Sequence, residues 1–287
     1  MATTEEYYLP KPSHLPAVAS LSIFLFTFGV VLWLNDLGPI VMGVGLLLLM
    51  YLFYSWFNTI VGESQAGYYN RQVDITFRQS MAWFITSEVF FFVAFFGSLF
   101  YLRTIAMPYL SGEGHLGSSH LLWEDFIATW PLLTLPDASN YSEANKAMGA
   151  MGIPLWNTII LLSSGVTLTI AHHALKEGNR TKLILGMVAT ITLGLVFFGF
   201  QIVEYGHAYG ELGLKLTSGT YGSTFYLLTG FHGMHVTIGT IMLIVILIRC
   251  AKGHFTPENH FAFEGVAWYW HFVDVVWVGL FIFVYWL

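Results

Sequence analysis

Charge is what this chain most lacks. Only 10% of its 287 residues are Asp, Glu, Lys or Arg, against roughly 25% in soluble globular domains. That scarcity excludes a soluble core of this length. Cysteine is nearly missing too. Cys250 stands alone, so no disulfide can form within the chain and no multi-cysteine metal cluster is possible. There is no basic cluster of the kind that tracks a nucleic acid backbone, so no nucleic-acid partner is expected. A phosphate loop, a nucleophile elbow and a dinucleotide fingerprint are absent as well. The opening stretch "MATTEEYYLPKPSHLP" lacks the basic region of a cleavable signal peptide, so the first apolar segment is expected to remain.

What the chain has instead is long apolar runs, with 56% of its residues hydrophobic. A helix that spans a bilayer needs about 20 mostly apolar residues. Seven such segments can be read, at 15–34, 38–58, 79–102, 153–175, 183–206, 221–248 and 266–287. "NDLGP" makes a tight turn between the first two, and "CAKGHFTPENHFAFEG" is a polar loop before the seventh. Residues 103–152 are too long for a simple connection. Within them "LLWEDFIATWPLLTL" mixes aromatics and acids. It reads as an interfacial segment or as a loop packed over the bundle.

Lys and Arg set the orientation. With the N-terminus inside, the inner segments hold Lys11, Arg71, Arg78, Lys176, Arg180, Lys182, Arg249 and Lys252, and the outer ones hold only Arg103, Lys146 and Lys215. Seven spans then leave the C-terminus outside. The outer loop carries Glu113, Glu124, Asp125, Asp137 and Glu143. Such an acidic surface either helps steer a basic partner or is simply solvated.

A few ionisable residues lie at membrane depth. Glu88, in "RQSMAWFITSEVFFFVAFFGSLFYL", follows Arg78 by ten residues, or about 15 Å along a helix. A lone carboxylate there is costly, so Glu88 should be protonated or paired and should face protein. It reads as a proton relay, a cation site or a switch, or as a structural hydrogen bond to another helix. His232 and His235 are three apart and share one helix face. They are either haem or metal ligands or, more simply, hydrogen-bonding groups on a small-residue helix surface with Gly230, Gly233 and Gly239. His172 and His173 are adjacent, point about 100° apart and so cannot easily share one metal. They read as interfacial residues. His271 and Asp274, near the start of the last span, also share a face. With no nucleophile at hand, they read as a hydrogen bond fixing that helix. A small transporter built on Glu88 would be expected to show internal repeats, and none is visible.

"SEVFFF", "AHHALKEGNR", "YGSTFYLLTGFHGMHVTIG" and "HFTPENHFAFEGVAWYWHFVDVVW", with the final "YW", resemble subunit III of cytochrome c oxidase, of the haem–copper type. The resemblance runs through nearly every span from the second onward. It implies an all-α integral membrane fold of seven transmembrane helices, in which a two-helix bundle (1–62) and a five-helix bundle (63–287) flank a V-shaped cleft filled with phospholipid. It implies that this chain carries no haem and no copper, which belong to partner subunits I and II. It further implies a chain that packs on subunit I, supports proton uptake and prolongs the oxidase's working life, while cytochrome c acts on the complex. Quinol oxidase subunit III, typically of five spans, and a haem-ligating membrane cytochrome are the alternatives.

By the same resemblance Glu88 matches the family's intramembrane carboxylate. Glu63, Arg78, Arg249 and His254, with Lys252 and the apolar Trp56 and Phe57, become candidates for holding lipid. Two departures stand out. Gly62 replaces an Arg common before Glu63, and Tyr68 and Tyr69 stand where a His pair commonly follows. The long 103–152 loop and the lack of a targeting segment point to a bacterial inner membrane.

Overall fold

The computed structural model describes residues 8–113, 123, 126–137 and 139–287. Seven helices follow one another: α1 (Leu15–Leu34), α2 (Ile40–Gln65), α3 (Arg71–Tyr101), α4 (Ile153–Lys176), α5 (Arg180–Gly210), α6 (Gly219–Lys252) and α7 (Phe261–Leu280). All seven are long and apolar enough to cross a membrane. No strand occurs among the described residues. The architecture is therefore that of an all-α membrane protein.

Local chemistry sets the helix ends. Proline stands in the first turn of α1 and of α4, where its missing N–H has no intrahelical partner to lose. Asn179 caps α5 by accepting from the Lys182 amide. Gly253 closes α6 in the left-handed conformation, φ 74°, which a residue without Cβ adopts freely.

Several helices outrun the apolar stretches that mark them. α3 starts at Arg71 rather than near 79. Its first two turns carry Arg71, Gln72, Asp74, Thr76 and Arg78 and are laced by the Arg78–Asp74 ion pair at 2.7 Å, one turn apart. Arg78 therefore lies two turns inside the helix. At the other end α3 continues through π-helical turns at Leu102–Ala106 and Tyr109–Glu113, so the long connection begins later than hydropathy suggests. π-Helical turns also end the chain, at Phe281–Trp286. Hydropathy registers the thickness of the bilayer, whereas the hydrogen-bond ladder runs on into water.

The chain packs as two compact units, divided between Gln79 and Ser80, inside α3. In the first, α1 and α2 cross at two glycines. A Cβ on Gly29 would sit 2.1 Å from the Met42 amide nitrogen, and one on Gly45 would sit 2.3 Å from that of Phe26. Backbone meets backbone there. This is how helices associate when lipid is as apolar as leucine and contact area must come from close approach.

The second unit is centred on Trp270 of α7, which is fully buried. Its ring lies between Gly194 of α5 and Gly239 of α6, where an added Cβ would come within 2.9 Å of the indole. Its Nε1–H donates to Ser164 Oγ of α4 at 2.9 Å. One side chain thus touches three neighbouring helices. Trp277 repeats the arrangement farther along α7, donating to Thr158 Oγ1 at 2.9 Å and meeting Phe197 edge-on at 4.8 Å. α4 and α5 close on each other where Gly186 faces Ala171 and where Thr167 and Thr190 share a hydrogen bond of 2.8 Å. From Ser80 onward α3 contributes an aromatic ridge. Phe91 and Phe95 pack on Phe231 at 5.1 and 4.9 Å.

Part of the "LLWEDFIATWPLLTL" segment lies outside the described residues. The rest, 126–135, is a packed loop and not a helix. Leu132 and Leu135 are buried, the Leu135 amide donates to Glu143, and Trp130 lies edge-on to Tyr221 of α6.

The Trp270 seat makes a clear prediction. Gly239→Ala should force the indole or α6 to shift and destabilise the protein by about 1–3 kcal/mol, as overpacking does. Gly199→Ala in α5, which has open space around it, should be neutral or slightly stabilising. Thermal unfolding of the two variants in detergent provides the comparison.

Candidate functional site

Several intramembrane polar groups pair across helices. Glu88 of α3 and His235 of α6 meet at 2.8 Å, Oε2 to Nε2. His235 Nδ1 lies 2.7 Å from the Phe231 carbonyl. A carbonyl only accepts, so Nδ1 carries a proton. The Glu88 contact then needs one further proton, held either by the carboxyl or by Nε2, and in both cases the pair is joined by a hydrogen bond. Phe92, Phe91 and Tyr269 stand around the imidazole at 5.0, 5.8 and 6.2 Å. In so apolar a box the two groups satisfy each other.

His232, one turn earlier on α6, faces elsewhere. Its Nε2 lies 3.2 Å from the Val273 carbonyl of α7, to which it donates. Its ring packs against Trp277 at 5.1 Å. The two histidines that share a stretch of helix face in sequence thus serve different neighbours. His271 Nδ1 lies 3.4 Å from Asp274 Oδ2 on the same helix, and its Nε2 lies 3.4 Å from Thr169 Oγ1 of α4. Gly165 of α4 leaves room for that carboxylate, since a Cβ there would come within 2.4 Å of Oδ2.

Two further polar groupings were not singled out in the sequence. Glu204 of α5 accepts from Tyr285 Oη at 2.5 Å, both side chains buried. The argument that singles out Glu88, an acid inside an apolar run, applies equally to Glu204. His172 of α4, with His260 and Glu264 at the start of α7, forms a third grouping. Its members are distant in sequence, and no local spacing signals it.

The candidate lipid residues divide between the units. In the first, Trp56 and Phe57 are exposed and stacked at 5.9 Å. Glu63 is held by two phenols, Tyr8 at 2.9 Å and Tyr69 at 2.7 Å. Loss of water, then the hydrogen bond to Glu63, pushes both phenol pKa values up. Arg78 is paired with Asp74. In the second unit Arg249 is buried, its guanidinium 4.4 Å from the Phe255 ring centroid. Lys252 is exposed and His254 half-buried. Loss of water, then the charges of Arg249 and Lys252, lowers the His254 pKa. The fold therefore favours neutral His254. Its stability contribution is lost as pH falls through the ordinary histidine value of about 6.5.

On the outer loop Asp137 accepts from Ser139 and Asn140 at 2.6 and 2.7 Å, and these bonds lower its pKa. Glu143 accepts from the Leu135 amide. Glu124 and Asp125 lie outside the described residues.

Fold and pairs together define a class: a polytopic helical membrane protein in which several buried polar groups join helices. Comparison with known proteins makes the class specific. Residues 5–114 and 131–287 match the family model described as cytochrome c oxidase subunit III. The chain is 38% identical over 284 residues to cytochrome c oxidase subunit 3 of Tachyglossus aculeatus aculeatus, covering 99% of this chain and 97% of that protein. It is likewise 38% identical over 281 residues to the Papio hamadryas protein of the same name, with 98% and 96% covered. The chain belongs to the cytochrome c oxidase subunit III family, and so to the components of a multi-subunit respiratory oxidase.

The Glu88–His235 geometry predicts a split between two substitutions. Glu88→Gln keeps an amide that donates to a neutral His235, and thermal stability should stay near wild type. Glu88→Ala leaves a buried imidazole nitrogen without its partner and should cost about 1–3 kcal/mol. Unfolding midpoints in the same detergent distinguish the two.

Proposed function

We propose that this chain is the non-redox subunit of a proton-pumping cytochrome c oxidase, which reduces oxygen to water in aerobic respiration. It steadies catalytic subunit I, supports proton uptake and holds phospholipid, in a complex with subunits I and II on which cytochrome c acts. The haem and copper belong to those partner subunits. The placement of Lys and Arg favours an N-terminus in the cytoplasm and a C-terminus on the outer side, and the long 103–152 loop favours a bacterial plasma membrane.

The observation that carries this reading is the commitment of both α6 histidines. His235 is bonded to Glu88 and His232 to the Val273 carbonyl, each through Nε2. A haem ligand needs a ring nitrogen free to approach the iron, and these nitrogens are already holding helices together. The Glu88–His235 pair is a tie between α3 and α6, suited to keeping a large membrane complex intact while its neighbour turns over.

Glu88→Gln tests the role. Oxidase carrying it should start at a rate close to wild type and then lose activity faster during turnover. Loss of oxygen reduction from the first turnover would instead make Glu88 part of the reaction itself.

Lipid binding rests on the basic residues of the inner side. A cation near an anionic headgroup is worth about 1 kcal/mol. Arg78→Ala should lower the number of phospholipids that stay with the purified complex, as counted by mass spectrometry. An unchanged count would leave Arg78 as an orientation signal only.

A further inference from the structure

Asn157 of α4 and Gln201 and Glu204 of α5 are 0%, 7% and 1% exposed. Both amide atoms of Asn157, both of Gln201 and Oε2 of Glu204 are buried and have no protein hydrogen-bond partner among the described residues. We propose that these three side chains form a binding site for ordered water, which bridges α4 and α5 beside the terminal turns of the chain.

The helix register brings the groups together. α4 and α5 run antiparallel, with Thr167 opposite Thr190 and Ala171 opposite Gly186. The same register, carried towards the start of α4, sets Asn157 level with Gln201. Thr158, next to Asn157, holds the indole of Trp277, and that ring meets Phe197, one turn before Gln201. Gln201 and Glu204 are three apart on α5 and so share a face. Tyr285 donates to Glu204 Oε1 at 2.5 Å. It lies close to Gln201 as well, without a well-formed hydrogen bond to either amide atom.

The chemistry selects water. A polar group left unpaired inside a membrane protein is costly, since no solvent is at hand to take it up. Each amide presents two N–H donors and one carbonyl acceptor, and Glu204 Oε2 adds a further site. No direct hydrogen bond joins the three side chains, so a partner between them must donate to some groups and accept from others. Water does both. A metal cation would satisfy the oxygens and leave the amide N–H groups unpaired. A buried water typically makes about three hydrogen bonds, and two amides with a carboxyl oxygen can supply them.

The surroundings are aromatic. Phe225 and Trp277 flank the buried Tyr285 ring at 5.5 and 5.9 Å, and Phe197 and Trp277 are themselves fully buried. Such walls separate the site from lipid and bulk solvent, so water bound there is held in place. The bridge adds α4 to the contact that Glu204 makes with the end of the chain. The competing account is a dry pocket in which the amides bear the cost of burial, and it makes the opposite prediction for their removal.

The first test is density from the assembled wild-type oxidase at a resolution that shows ordered water. At least one water should lie within hydrogen-bond distance of Glu204 Oε2 and of an amide atom of Asn157 or Gln201. A dry space, a direct amide-to-carboxyl bond, or a peak at metal-ligand distances overturns the proposal. The second test is Gln201→Met, which keeps the length of the side chain and removes its amide. With water bound, the substitution strips a partner from the bridge, and the thermal midpoint of the complex should fall by a few degrees. In a dry pocket it removes an unpaired polar group, and the midpoint should rise. An unchanged or higher midpoint overturns the site. Should Gln201→Met fail to assemble, the wild-type density alone decides.

Discussion

A bilayer core has no water to satisfy a polar group and no hydrophobic gain from pressing two apolar helices together. The second unit is organised by that double constraint. Trp270 meets it in one side chain. Its ring supplies contact area where Gly194 and Gly239 let the helices close in, and its N–H is satisfied by Ser164. Trp277 with Thr158 and Thr167 with Thr190 repeat the device at other levels. Remove the glycines and the indole has no seat. Remove Ser164 Oγ and a buried donor is left unpaired, which costs more than the bond itself contributes.

The ionisable groups obey the same rule at higher stakes. Glu88 finds His235, and Glu204 finds Tyr285. Each acid sits on one helix and its partner on another element, so satisfaction of the charge and attachment of the helices are one event. His232 shows the alternative, a neutral imidazole held by the Val273 carbonyl. These commitments leave both α6 histidines holding helices together.

In the first unit Glu63 shows how neutral donors hold an acid. Gly62 offers no side chain, yet both carboxylate oxygens of Glu63 are taken, by the phenols of Tyr8 and Tyr69. Phenol donors hold the acid near the C-terminal end of α2.

The sequence by itself determined the number of spans and the all-helical class, because apolar length against bilayer thickness is a local sum. Helix ends were less legible. α3 begins at Arg71, since a ladder of hydrogen bonds does not stop where hydropathy does. The sequence also required a partner for Glu88, but nothing local in it named one. Only the rotation of α6 gave His235 to α3 and His232 to α7. His172 beside His173 looked unfit to share a ligand, and on one helix that holds. Its companions His260 and Glu264 come from α7, far along the chain. Periodicity reports which face of a helix a residue occupies. Which neighbour that face meets depends on crossing points set by Gly186, Gly194 and Gly239, and these exist only once the helices have packed.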